Sequence, residues 1–115
     1  MTIELIYNPN CSKSIKTLEI IINYEIKPKL LHYLEQDLSK KFLISLTNKL
    51  NLKVHDLIRT LEQPYIDNNL SENDNDDLLL SYIIKYPILL QRPIAIKNKI
   101  AIICRPPEKV LDILK

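Results

Sequence analysis

Residues 8–14, NPNCSKS, decide how this 115-residue chain folds, because they join two different hydrophobic patterns. The apolar residues of 3–7 are typical of a buried strand, and apolar residues then recur with the helical period between positions 15 and 22. Cys11 therefore lies at the N-terminus of a predicted helix. The unpaired amides and the positive dipole end found there favour the thiolate, which is the nucleophilic form of cysteine. The position alone predicts a reactive thiol.

Arginine is rare in this chain. Of sixteen basic residues thirteen are lysine, and the three arginines are Arg59, Arg92 and Arg105. A planar, bidentate fork that matches a tetrahedral oxyanion explains why arginine is kept against that bias, although three scattered surface arginines are the alternative. Arg92 and Arg105 each precede a proline at the edge of a predicted strand, where side chains tend to line clefts. This context favours an oxyanion site.

Length and composition exclude several classes of protein. We expect a single domain over 1–115, since 115 residues with 46% hydrophobic content suffice for one core. The net charge is only +2, and the chain has no basic stripe of the kind that nucleic-acid-binding proteins carry. We also expect no membrane partner and a cytoplasmic location, because no apolar run approaches the ~20 residues of a membrane span and no leader pattern precedes one. The two distant cysteines, Cys11 and Cys104, argue for reduced thiols.

The order of the predicted elements indicates an α/β fold. They are strand 2–7, helix 12–23, strand 29–34, helix 40–50, a short helix 54–61, helix 75–85, strands 94–97 and 100–104, and helix 107–114. Ser39 is the expected N-cap of the second helix, and Pro87 explains the end of the fourth. In a chain without glycine, Asn98 is the expected turn residue of the hairpin. This order predicts a thioredoxin-like mixed sheet, built from a βαβ unit, a helical insertion at about 36–90 and a ββα unit.

In a thioredoxin-like fold, the turn before the third core strand usually carries a cis proline that faces the active thiol. Arg92-Pro93 occupies that place, so we predict a cis bond there. A trans proline that opens an edge strand is the alternative.

We predict no metal site and no bound cofactor. Residues 71–77 superficially suggest a calcium loop but lack its sixth-position glycine and final glutamate, so they are better interpreted as a helix N-cap. His32 and His55 have no partner at metal-ligand spacing, and we interpret them as packing or surface residues.

The thiol pattern indicates that Cys11 works without an internal partner. Cys11 and Ser14 form Cys-x-x-Ser, so any disulfide is resolved from outside. Cys104 is either a resolving thiol or, as strand alternation favours, a small buried hydrophobe that points away from the site of Arg105. The phosphatase signature Cys-x5-Arg would need arginine at position 17, where this chain has Thr17, so we set a phosphatase aside.

Several motifs together resemble the glutaredoxin-dependent arsenate reductase family over nearly the whole chain. They are NPNC at 8–11, YLE at 33–35, LIR at 57–59, QRPI at 91–94 and RPPEKVLDI at 105–113. The resemblance implies a catalytic Cys11 thiolate that attacks arsenate. It also implies an oxyanion cradle of Arg59, Arg92 and Arg105, and a supporting set of Asn8, Ser12, Ser14 and Pro93.

In this scheme glutathione is the co-substrate and a glutaredoxin is the protein partner that helps to remove the mixed disulfide as arsenite leaves. Three cations and helix amides would stabilise the charge that grows on the oxygens during attack. Better-known members carry His before the Asn-Pro pair and Arg four residues after the cysteine, where this chain has Tyr7 and Ile15. Both departures bear on turnover, although Lys13 or Lys16 could partly replace the missing cation.

Two alternatives come from other functional classes. A thioredoxin-like regulator that binds RNA polymerase shares this fold but usually carries Cys-x-x-Cys, which Ser14 contradicts. A reductase-like thiol protein with a different substrate is the second alternative.

Overall fold

A computed structural model describes residues 2–114 of the chain. The elements follow in the order β1 (Glu4–Ile6), α1 (Ser12–Asn23), β2 (Lys29–Leu31), α2 (Lys40–Leu50), a 3-10 helix (Val54–Leu57), α3 (Gln63–Asp67), α4 (Asp76–Lys85), a 3-10 turn (Pro87–Leu89), β3 (Ile94–Lys97), β4 (Ile100–Ile103), a 3-10 helix (Pro107–Val110) and α5 (Leu111–Leu114). Contacts between residues divide the chain into two units, one made of Asp37–Gln91 and one made of the residues before and after it.

The unit made of the residues before Asp37 and after Gln91 contains the sheet. Its strands lie in the order β2-β1-β3-β4, with β1 parallel to β2 and antiparallel to β3, which in turn is antiparallel to β4. Ile6 pairs with Ile94, and Ile94 with Ile103. The end of β1, the start of β3 and the end of β4 therefore lie at the same edge of the sheet. This is the thioredoxin-like mixed sheet that the element order predicts.

One face of the sheet packs against helices. Alternate residues of a strand share a face, and those of the β1 region, Ile3 and Leu5, are fully buried in one cluster with Ile21 of α1. Val110 and Ile113 bring the C-terminal helices into the same cluster. Burial of such side chains contributes about 1.5–3 kcal/mol each, so this layer fixes α1, and with it the segment that carries Cys11, against the sheet.

The second unit, Asp37–Gln91, is helical. Ser39 caps α2 as predicted, because its hydroxyl accepts a hydrogen bond from the Phe42 amide at 3.0 Å. Asn75 caps α4 in the same way through the Leu78 amide at 2.8 Å. This confirms the N-cap interpretation of 71–77, and α4 ends at Lys85, two residues before Pro87, as expected.

Predicted helices agree with the structure where their signals are local. Helices 12–23 and 40–50 have the predicted bounds. The predicted helix 54–61 is wrong beyond Leu57, because Ile58 instead forms a β-bridge with Leu90. Helix α3 was not predicted, although the proline in its first turn is a recognised start signal. The last helix begins as a 3-10 helix and turns α-helical only at Leu111.

The predicted strands 2–7, 29–34 and 100–104 are too long. β2 ends at Leu31, because a turn begins at Tyr33, whose amide donates to the Leu31 carbonyl at 3.0 Å. β1 pairs only with the three residues Lys29–Leu31 of β2, so it is also shorter than the predicted strand 2–7. The Tyr7 amide still donates to the Leu31 carbonyl at 3.0 Å. Strand 94–97 has the predicted bounds, and β4 ends one residue before Cys104.

Asparagine replaces glycine at the turns. Asn98 in the hairpin has φ 56°, as predicted, and Asn51 and Asn69 also have positive φ. Glu25, with φ 61°, is the exception, because a side chain of its kind is unfavourable there. The Arg92-Pro93 bond is cis, which confirms the prediction, and Arg105-Pro106 is a second cis bond that was not predicted.

Candidate functional site

Cys11 is the N-cap residue of α1, in the segment that follows β1. Its backbone is extended, with φ −107° and ψ 118°, and its carbonyl accepts the Ile15 amide at 3.1 Å, the first helical hydrogen bond. Its own amide donates to the Asn8 carbonyl at 3.0 Å. Because α1 is 12 residues long, its dipole is fully developed, and the half-buried thiol lies beside the unpaired amides of the first turn.

The surroundings of Cys11 favour its thiolate. Partial burial raises the pKa of the Cys11 thiol, but hydrogen bonds from the amide and the hydroxyl of Ser14 and from the amide of Lys13 lower it. The positive charge of Arg92 lowers it further. These contributions outweigh burial, and the pKa of Cys11 lies below its ordinary value. Sequence reasoning predicted the helix terminus but not these specific donors; their signal was their position in the first helical turn.

Asn8 and Ser14 hold the loop around the thiol. Both are buried, and the Asn8 amide donates to the Ser14 hydroxyl oxygen at 3.3 Å. The Asn8 side-chain oxygen accepts the Asn10 amide at 2.9 Å. Ser12 is exposed at the first helical position. The structure thus puts Asn8 and Ser14 in contact with the cysteine loop, and Ser12 on its outer surface.

Arg92 carries a guanidinium with unused donors. Its Nε and Nη1 atoms are buried, and no acceptor within residues 2–114 hydrogen-bonds to either of them. Pro93 is buried beside it, and the Pro93 carbonyl accepts the Cys104 amide at 2.9 Å. Buried donors in native proteins are almost always satisfied by a partner. The unsatisfied Arg92 donors lie near the loop that stabilises the Cys11 thiolate, and a bound anion would supply the acceptor that they lack.

Arg105 leaves the sheet at the same edge. It follows β4, whose last residue Ile103 pairs with Ile94, and Arg92 directly precedes the start of β3. The Cys11 segment follows the end of β1, which pairs with Ile94 from the other side. The topology therefore brings the backbone segments of Cys11, Arg92 and the half-buried Arg105 to one edge.

Arg59 belongs to the other unit, Asp37–Gln91. Its amide donates to the Leu89 carbonyl at 2.7 Å, next to the bridge between Ile58 and Leu90. Its Nη1 lies 2.8 Å from a carboxylate oxygen of Glu62 in a mostly buried ion pair, although the angles of this contact are not those of a hydrogen bond. Unlike Arg92, this guanidinium has an anionic neighbour within its own segment.

Cys104 is a core residue. It is fully buried in the cluster that contains Leu5 and Ala95, which confirms its interpretation as a small buried hydrophobe. Burial raises the pKa of the Cys104 thiol to about 12, and a hydrogen bond with the Ala95 backbone acts in the opposite direction. The thiol therefore stays protonated and unreactive at neutral pH.

The two residues that depart from the family pattern flank the loop. Tyr7 is half-buried, and its ring meets His32 edge to face with centroids 5.8 Å apart. Ile15 is 41% exposed. His55 hydrogen-bonds to the Tyr65 hydroxyl at 2.8 Å. Both histidines are half-buried beside a tyrosine ring, which agrees with their interpretation as packing or surface residues.

Residues 2–114 contain neither a metal-binding cluster nor a membrane-spanning helix. No cluster of three or more His, Cys, Asp or Glu side chains there is arranged to hold a metal ion. Within the same residues, no helix combines the length and the apolar character needed to cross a membrane.

Comparison with known proteins places this arrangement in a family. The model of the ArsC family matches residues 6–113. A protein from Acidiphilium multivorum named arsenate reductase is 38% identical over 97% of this chain and 80% of its own length. Another so named, from Haemophilus influenzae, is 39% identical over 99% of this chain and 100% of its own length. The solved structure of an arsenate reductase from Vibrio cholerae superposes with a TM-score of 0.94, at 37% identity and 98% coverage of both chains.

Proposed function

This chain belongs to the ArsC family, and from that premise we propose that it is a thiol-dependent arsenate reductase in which Cys11 is the nucleophile. The similar proteins named arsenate reductase support the substrate. The thiol chemistry needs a reducing compartment, for which we propose the cytoplasm.

The observation that carries the proposal is the pairing of Cys11 with Arg92. A thiol of lowered pKa lies within the electrostatic reach of a cation that has two buried, unsatisfied donors. A tetrahedral oxyanion bound to those donors would lie beside the sulfur, and the same charge would stabilise the negative charge that grows on its oxygens during attack.

The proposed reaction moves two electrons from two thiols to arsenic. The Cys11 thiolate attacks arsenic, a sulfur–arsenic bond forms, and one oxygen leaves as water after protonation. A glutathione thiolate then attacks the Cys11 sulfur, and the electron pair of the sulfur–arsenic bond stays on arsenic, which leaves as arsenite. The mixed disulfide that remains on Cys11 is removed with the help of glutaredoxin by thiol–disulfide exchange.

Arg105 and Arg59 complete the proposed oxyanion cradle. For Arg105, the support is its place at the same sheet edge as Arg92. For Arg59, which belongs to the other unit, the support is the family resemblance alone. Asn8 and Ser14 support the loop through the hydrogen bonds already described, and Ser12 is assigned a supporting role on the resemblance.

The test is arsenate reduction by the purified chain with glutathione, glutaredoxin and a recycling system that consumes NADPH. We expect arsenate-dependent turnover that Cys11→Ser abolishes. Cys104→Ser is the matched control, since it removes the other thiol, which is buried in the core, and should keep turnover. Turnover that survives Cys11→Ser, or a well-folded wild type that shows none, would refute the proposal.

A further inference from the structure

Ser14 links the first turn of α1 to Asn8, the residue from which the chain leads into Cys11. It is fully buried in the first turn of α1, and its hydroxyl oxygen accepts the Asn8 amide at 3.3 Å. The Cys11 amide in turn donates to the Asn8 carbonyl at 3.0 Å. These two hydrogen bonds run in opposite directions between Asn8 and the start of the helix, and they hold Ser14 in the helical turn that Cys11 caps.

The hydrogen bond from Asn8 also determines what the hydroxyl does. A serine hydroxyl has a single proton to donate and an oxygen that accepts. Because the oxygen already accepts the Asn8 amide, the proton is free to point at the Cys11 sulfur, the contact through which the hydroxyl stabilises the thiolate. A buried hydroxyl that donates to the sulfur favours the negative sulfur over a neutral, disulfide-bonded one.

We infer that Ser14 is a positioning residue that makes Cys11 the leaving group when a second thiol resolves a mixed disulfide on it. In this step a donor thiolate attacks the outer sulfur of the Cys11 disulfide, and a new disulfide forms between donor and outer group. The old sulfur–sulfur bond breaks, its electron pair stays on Cys11, and the Ser14 proton hydrogen-bonds to the thiolate that appears. This inference rests on the proposed function for its place in the cycle.

The physical basis is the choice between two sulfurs. In thiol–disulfide exchange the sulfur that leaves as the more stable thiolate leaves faster. Attack on the outer sulfur regenerates the enzyme, whereas attack on Cys11 only exchanges one outer group for another. In a Cys-x-x-Ser chain no second thiol corrects the unproductive attack, so the serine that stabilises Cys11 decides how often the donor regenerates the enzyme.

The experiment uses the full chain with glutathione attached to Cys11 and no arsenate. Isotopically labelled glutathione is added in excess, and mass spectrometry follows two products. Free Cys11 reports attack on the outer sulfur, and labelled mixed disulfide reports attack on Cys11. For Ser14→Ala we expect release of Cys11 to slow by roughly three- to tenfold, as for loss of a charge-assisted hydrogen bond partly expressed in the transition state, with a larger share of label exchange.

Matched variants separate this role from a structural one. Thr17→Val removes another buried hydroxyl of α1, which bonds to the Lys13 carbonyl at 2.8 Å, and should leave both rates unchanged. Ser14→Thr keeps the hydroxyl and should retain release, which covers the case in which alanine fails to fold. The absorbance of the thiolate as a function of pH should move to higher pH in Ser14→Ala and not in Thr17→Val.

Equal release and equal label exchange in folded Ser14→Ala and wild type would overturn the inference, as would loss of release in a folded Ser14→Thr. Because arsenate is absent, a failure of arsenate reduction leaves this outcome unaffected. The two proposals can therefore fail separately.

Discussion

Replacing Arg92 with methionine is expected to strengthen the fold while weakening anion binding. The wild-type side chain buries Nε and Nη1 without an acceptor. An unsatisfied buried donor costs about 1–3 kcal/mol, and methionine has a similar aliphatic stem with no donor. Since the residue is half-buried, we expect the free energy of unfolding to rise by about 2 kcal/mol when no oxyanion is present.

The same change should remove most of the stabilisation that an anion gives. Wild type in sulfate or arsenate at a hundredfold excess over Kd should gain about 2.7 kcal/mol. Loss of a charge-assisted hydrogen bond costs about 1.5–3 kcal/mol, which is a tenfold or larger increase in Kd. At the same anion concentration the Arg92→Met variant should then gain at most about 1.4 kcal/mol. Arg92→Lys, which keeps the charge but not the fork, should lie between the two.

The assay is urea unfolding with and without the anion, and it needs no turnover. Lys97→Met is the control, because it removes a cation from the other end of the same strand, β3, and should leave the response to anions unchanged. The reasoning fails if Arg92→Met is less stable than wild type without anions, or if anions stabilise both proteins equally.

Three further predictions use other parts of the molecule. Ile15→Arg should lower the pKa of Cys11 and raise arsenate turnover at neutral pH. Because Ile15 is 41% exposed, the free energy of unfolding should fall by under about 1 kcal/mol. A thiolate titration and urea unfolding check this, and an unchanged pKa would contradict it. Iodoacetamide should alkylate Cys11 at a lower pH than an ordinary thiol, whereas Cys104, with its pKa raised to about 12, should react only on unfolding. Peptide mass spectrometry that finds equal rates for the two cysteines would refute this. Glu25→Gly should stabilise the protein by about 0.5–1 kcal/mol in urea unfolding by relieving the positive φ, while Asn51→Gly should change little; equal effects would argue against backbone strain at Glu25.

Several features of the fold could be predicted because their causes are local in sequence. α1 and α2 have the predicted bounds, since apolar periodicity and caps such as Ser39 involve residues within one or two helical turns. Asn98 was identifiable as a turn residue because a chain without glycine has few other residues that tolerate positive φ.

One error arose where distant residues decide the local structure. Ile58 leaves the predicted helix because it pairs with Leu90, and the Gln91 amide donates to the Leu57 carbonyl at 2.8 Å. Nothing near Ile58 in sequence reports these pairings. The strand 29–34 was predicted too long for a local reason instead, because a turn begins at Tyr33 and the apolar pattern does not reveal it.

The candidate site divides in the same way. The sequence predicted the thiol at a helix N-terminus from a chain segment of a few residues, and the cis bond before Pro93 from its place in the predicted thioredoxin-like fold. Only the tertiary structure decided that two donors of Arg92 are buried without acceptors, and that the buried Ser14 hydroxyl accepts the Asn8 amide. Burial and hydrogen-bond satisfaction depend on which residues meet in space, and a linear pattern of residue types does not contain that information.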